Sequence, residues 1–253
     1  MMQSYLEIGK VSWDESDLKK NLESFIQLYQ NRPIKNNQGG MLIGNMFYCW
    51  FLTKKLNPKY IIESGVHQGA STWLFEQAAP KAKIFSIDPN DAKILYRSER
   101  VKYYTGENFL DFAEIDWSKI DKSNTLCFFD DHYGLDRIKQ SNNLNFKWIL
   151  CDDNYYNFGG NESHPSGNAF SPKAAFRYHT QDAEFLKSIL SIYYEFPPVA
   201  KNTLSHPRNQ WSEIKEYTKP SLFDEDEIEK NDWLKIYQNE AFNYTWMCFI
   251  MLK

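Results

Sequence analysis

Between residues 14 and 30, apolar side chains return at helical spacing (Leu18, Leu22, Phe25, Ile26, Tyr29), and Arg32-Pro33 breaks the run. A second, almost uniformly apolar stretch at 41–55 starts after Gly39-Gly40 and stops at Asn57-Pro58. Apolar on all sides, it reads as a buried helix. From residue 60 the pattern changes to short apolar runs. Those at 60–63, 84–87, 101–105, 125–129 and 148–151 read as buried strands. A helix is expected at 71–79, stopped by Pro80, with a helical turn at 92–96 and a helix at 183–190. Two further strands are expected at 192–196 and 244–252.

Strands that alternate with helices point to parallel pairing through crossover connections. The expected fold is α/β: a Rossmann-like, seven-stranded, mostly parallel sheet with helices on both faces and an antiparallel last strand. The 253 residues suit one elaborated domain. Within it, 1–57 would form a helical cover over the front of the sheet, 58–196 the core, 197–240 a lid or insertion, and 241–253 the last strand. The acidic run 224–229 reads as a solvated helix start. The 197–240 segment is also a candidate contact in a homo-oligomer.

A net charge of −4 gives no general pull toward nucleic acid or anionic membrane, so neither is expected as a partner. The longest apolar run is too short to span a bilayer and contains Asn45. The first residues carry no secretory pattern. Cys49, Cys127, Cys151 and Cys248 are far apart, without a Cys-x-x-Cys, and three of them fall in expected strands. They read as reduced core thiols of a cytoplasmic protein.

The chemistry concentrates where strands end. The first strand runs into Glu63-Ser-Gly65-Val-His67-Gln-Gly69-Ala-Ser71, and the second ends on Asp88. That layout suits a nucleoside-bearing cofactor across the carboxyl edge of a parallel sheet. The two glycines would let the backbone approach the ligand, and Asp88 would accept from two ribose hydroxyls. The spacing is not the Gly-x-Gly-x-x-Gly of dinucleotide enzymes, and there is no P-loop. An ordinary βαβ turn capped by Ser71 is the plain alternative. The stretch resembles motif I of class I S-adenosylmethionine-dependent methyltransferases, in the form used by small-molecule O-methyltransferases. The resemblance implies that Glu63 reaches the cofactor's amino-acid end, that the Gly65–Ser71 loop contacts its carboxylate, and that Asp88 holds its ribose. His67 could touch cofactor or substrate, and Glu107, after the third strand, would lie near the adenine.

The fourth strand ends Phe-Phe-Asp130-Asp131-His132-Tyr133 and the fifth ends Cys-Asp152-Asp153-Asn154. Neighbouring parallel strands would bring these four carboxylates together, which demands proton uptake or a cation. Oxygen donors of this kind suit Mg²⁺ or another hard divalent ion. Asp131-His132-Tyr133 and Asp153-Asn154 resemble motifs of the cation-dependent catechol O-methyltransferases, which implies Asp131, Asp153 and Asn154 as metal ligands. Asp130 would lie beside the cofactor, or face away with Asp152 to pair with Arg137 or Lys147. His132 is the candidate general base; the alternative is a histidine that only bonds an acid or fills the core. His164, His179 and His206 have no metal-site spacing. Gly134 stands where the resemblance would require a catalytic lysine. The resulting expectation is O-methyl transfer to a small polar hydroxylated molecule, such as a sugar. The alternative is the same fold used for metal-dependent hydrolysis, or as a binding subunit.

Overall fold

The computed structural model describes residues 6–37, 39–155, 169–178, 180–200, 219–240 and 246–253. Seven strands form one sheet: β1 (Tyr60–Ser64), β2 (Lys83–Asp88), β3 (Val101–Thr105), β4 (Thr125–Phe129), β5 (Trp148–Cys151), β6 (Leu190–Glu195) and β7 (Cys248–Leu252). Their order is β3-β2-β1-β4-β5-β7-β6. Strands β1 to β5 pair in parallel, and β7 lies antiparallel between β5 and β6. This is the Rossmann-like α/β sheet expected from the pattern. The strand order reverses at β1, so a crevice opens beyond the carboxyl ends of β1 and β4.

The central strands are apolar on both faces because both faces are covered. Ile61, Leu126, Phe128 and Leu150 point to one core. There they meet α1 (Glu15–Tyr29), α2 (Ile43–Leu56) and α3 (Ala70–Ala78). Ile62, Cys127, Phe129, Ile149 and Cys151 point to the other core. Its helices are α4 (Leu135–Asn143), α5 (Pro172–Tyr178) and α6 (Thr180–Ile189). This alternation, two residues per repeat, governs the strand ends as well.

Helix α2 is buried from Ile43 to Thr53, as its unbroken apolar run requires. Helix α4 escapes the periodicity reading because only Leu135 and Ile138 supply buried apolar side chains in Leu-Asp-Arg-Ile-Lys-Gln-Ser-Asn-Asn. All four cysteines are free and buried. Among the described residues, no helix is long and apolar enough to cross a membrane.

Part of the 197–240 segment is described. Asp224 caps α7 (Glu225–Glu229), the acidic helix start, and α8 (Asp232–Glu240) follows. Leu222, Phe223, Ile228 and Leu234 join the core shared with α1 and α2, and Lys19 on α1 reaches Glu227 at 3.1 Å. Residues 201–218 lie outside the described residues.

Candidate functional site

The loop from Gly65 to Gly69 leaves β1 and starts α3, and internal bonds fix its shape. Asp88 accepts from the backbone N–H groups of Val66 and His67, both at 2.9 Å, and from Asn90 at 2.8 Å. The Gln68 carbonyl accepts from Leu95 and Tyr96, each at 3.0 Å. Asp88 thus spends three of roughly four acceptor positions on backbone. That leaves about one acceptor position for the ribose hydroxyls expected of it.

The two loop glycines pack closely against the protein's own backbone. Gly65 has φ +96°, and a Cβ there would overlap the carbonyl oxygen of Asp130. Gly69 has φ +91°, and its Cβ would stand 2.5 Å from the Tyr96 carbonyl oxygen. Both positions need glycine for backbone packing against the protein itself, before any ligand arrives.

Glu63 is fully buried, and its Oε2 accepts from Thr72 on α3 and Ser86 on β2, each at 2.6 Å. It braces the β1–α3 junction. Burial lifts its carboxyl to about 7, against the hydroxyls of Ser71, Ser86 and Thr72, which draw it down. Ser71 is close enough for that influence, yet Oε1 has no partner that meets hydrogen-bond geometry.

Three features of the loop fit a polar ligand. Helix α3 starts at Gly69 with no side-chain cap and no acid in its first turn, so its N-terminal N–H groups and dipole favour an anionic group. His67 Nδ1 and Gln68 Oε1 are buried without a hydrogen-bond partner. His67 holds φ +49°, and burial and Lys93 lower its pKa. An S-adenosyl cofactor, with its carboxylate and hydroxyls, would satisfy such groups. Glu107 is exposed in the turn after β3, where Gly106 packs against Asp91.

The acids after β4 and β5 separate by parity. Asp131 turns toward α4: Arg137 Nε donates to it at 2.7 Å, and Ser64 Oγ at 2.5 Å. Arg137, only 2% exposed, also makes two 2.7 Å bonds to Asp111. Asp152 turns toward α2, where Asn45 Nδ2 donates to it at 2.7 Å. Burial and the charges of Asp152, Asp153, Asp131 and Glu63 push Asp130 well above the usual carboxylate range. Burial and then Asp153 lift Asp152 to about 7.

Asp153 lies 2.7 Å from His132 Nδ1, and this bond raises the histidine's pKa. Both residues are left-handed, with φ 53° and 62°. Aspartate and histidine adopt this region more readily than most residues, and here it brings the two side chains together at the ends of β4 and β5. The His132 side chain remains largely exposed, so its Nε2 is free to meet a ligand.

The expected metal trio does not fit. Asn154 is 1% exposed and committed at both ends of its amide. Its Nδ2 donates to Tyr193 Oη at 3.0 Å, and its Oδ1 accepts from the Lys173 N–H at 3.0 Å. Arg137 neutralises Asp131, and His132 engages Asp153. Among the described residues, no group of three or more His, Cys, Asp or Glu side chains converges in a metal-binding arrangement.

Pattern reading overlooked the roles of Asn45 and Ser64. Asn45 was detectable as the one strongly polar residue in the buried part of α2. Arg137, expected as a partner of Asp130 or Asp152, holds Asp131 and Asp111 instead. Gly134 explains the missing lysine: it has φ +46°, and any Cβ would overlap the Phe170 carbonyl oxygen. His164, His179 and His206 lie outside the described residues.

No protein-family model matches the sequence, and no curated protein matches it. Several solved structures resemble it distantly. An S-adenosylhomocysteine-bound methyltransferase from Podospora anserina, PaMTH1, is 17% identical, with 74% of this chain and 90% of that chain covered and a TM-score of 0.44. The O-methyltransferase TomG from Streptomyces achromogenes, in complex with S-adenosylmethionine, is 13% identical over 72% and 80%, with a TM-score of 0.43. An O-methyltransferase from Bacillus cereus, in complex with S-adenosylhomocysteine, is 16% identical over 70% and 81%, with a TM-score of 0.41. These likenesses are too distant to carry a function to this chain.

Proposed function

We propose that this protein transfers a methyl group from S-adenosylmethionine to an oxygen of a small, polar, hydroxylated acceptor. One observation carries the reading. The hydrogen-bonded His132–Asp153 pair and the orphaned polar atoms of the 65–69 loop lie at the same carboxyl edge, at the switch point of the sheet. The cofactor, when bound, supplies a methyl group already activated on a sulfonium. The uncapped start of α3 would receive a carboxylate, and His67 and Gln68 would gain the partners they lack.

His132 is the base. Asp153 holds its Nδ1–H and thereby leaves Nε2 as the acceptor for a hydroxyl proton. Asp131, held by Arg137 and Ser64, keeps the β4 end in place. A sugar or related polyol suits these polar surroundings.

The test is thermal stabilisation of cofactor-stripped protein by S-adenosylhomocysteine. A ligand at about 100 times its Kd adds about 2.7 kcal/mol, seen as a clear rise in Tm. No rise at millimolar ligand, in folded protein, would overturn the proposal.

A further inference from the structure

A cleft lies beyond the carboxyl ends of β5 and β6, with Asn154, Lys173, Glu195, Pro198 and Trp246 on its walls. Strands β5 and β6 both run antiparallel to β7, so they end on the same edge of the sheet. Asn154 directly follows Asp153, which holds His132. The cleft therefore begins one residue from the partner of the proposed base.

Its polar groups are locked before any ligand arrives. Lys173 Nζ lies 2.6 Å from Glu195 Oε2, and Tyr193 Oη donates to Glu195 Oε1 at 2.7 Å. Asn154 links Tyr193 to the start of α5 through its two 3.0 Å bonds. The Asn154 N–H donates to the Trp246 carbonyl at 2.7 Å, and the Lys173 ammonium sits 4.9 Å from the centre of the Trp246 ring. Lys173, Glu195 and Trp246 are each no more than 8% exposed. A buried ion pair adds little net stability over apolar side chains of the same volume. What this pair does offer is a donor and an acceptor side by side, next to an apolar wall.

Size and charge select the ligand. The cleft has room for about one water molecule, so a hydroxyl can enter and a carboxylate or phosphate cannot. Glu195 balances Lys173, and Glu7 balances Lys219, the other cation of the lining. No net positive charge is left to draw an anion. A hydroxyl can accept from the ammonium and donate to the carboxylate at once. Water can do the same, but only a hydroxyl on carbon also brings an apolar body to Trp246 and Pro198.

We infer that Lys173, Glu195 and Trp246 dock the acceptor: one hydroxyl of a neutral sugar or cyclic polyol enters between ammonium and carboxylate, and its ring carbons meet Trp246 and Pro198. As an acceptor site this rests on the methyl-transfer reading, but the binding it requires is measurable without cofactor.

Saturation-transfer NMR on the full chain tests it, with methyl glycosides of glucose, galactose, mannose and rhamnose, and myo-inositol, as probes. At least one neutral probe should bind, through its ring C–H protons. Trp246→Leu and Glu195→Gln should each weaken it more than ~10-fold. Because Glu195→Gln leaves Lys173 buried without its carboxylate, the decisive variant is the double one, Lys173→Met with Glu195→Gln. It removes both charges and should fold, yet lose the probe; a merely structural pair would leave probe binding unaltered. Three results overturn the inference: no neutral probe binds at millimolar concentration, the folded double variant binds as the wild type does, or glucuronate or glucose 6-phosphate binds more tightly than methyl glucoside. A Tm rise with S-adenosylhomocysteine beside silent sugars overturns this site and leaves methyl transfer standing. Sugar binding without that rise overturns methyl transfer, and the acceptor role with it.

Discussion

His132 Nδ1 lies 2.7 Å from the Asp153 carboxylate, and both residues adopt left-handed backbone angles to make that contact. As the base must be neutral to accept a proton, kcat/KM should rise with pH through the histidine's pKa. Asp153 raises that pKa. Asp153→Asn should therefore move the acid limb of the profile to lower pH and slow turnover. His132→Gln should cost about 10²–10⁴ in rate. A pH–rate profile for Asp153→Asn that overlays the wild type would remove the pair from the mechanism.

Glu63 gives a stability prediction with a defined sign. Its folded pKa of about 7 exceeds the ordinary glutamate value of about 4.5, so the native state holds the proton more tightly than the unfolded chain. Stability from this group is complete below the unfolded pKa and declines as pH rises toward and through the folded one. The decline is at most about 3 kcal/mol. Glu63→Gln should flatten this part of the pH dependence relative to wild type, measured by urea unfolding between pH 4.5 and 8. Parallel curves would show that Glu63 does not carry it.

Gly65 and Gly134 are packing glycines with positive φ. Gly65→Ala places a methyl group on the Asp130 carbonyl and should cost at least ~2 kcal/mol. Gly134→Lys, which restores the lysine of the resembled motif, should destabilise the protein and fail to increase its rate. A stable, faster Gly134→Lys variant would contradict the crowding seen against Phe170.

Arg137 ties α4 to both Asp131 and Asp111. Arg137→Met leaves two carboxylates without their partner and should cost about 3–5 kcal/mol. Arg137→Lys should recover only part of this, because a lysine cannot reproduce the forked contacts. Chemical denaturation of the two variants checks the order; equal stabilities would mean that shape, and not pairing, holds α4.

Several elements were legible before any coordinates. The apolar runs placed β1 to β5 within a residue or two, because strands covered on both faces must be apolar throughout. The amphipathic pattern placed α1, and the almost uniformly apolar run placed α2. Local patterning of this kind depends on neighbours in the chain, so the chain alone reveals it. Helix α4 was missed because its anchor is an ion pair, not an apolar stripe.

The sequence by itself determined the sheet, the loop after β1, and the gathering of acids at the ends of β4 and β5. Only the tertiary structure decided which acid does what. Adjacent aspartates are chemically identical on paper, but side chains alternate across a strand, so one of each pair faces α2 and the other leaves that face. Asp131 therefore meets Arg137, and Asp152 meets Asn45, partners 6 and 107 positions away. Whether a buried carboxylate meets a guanidinium or an amide depends on what the opposite helix presents, and that is a property of packing.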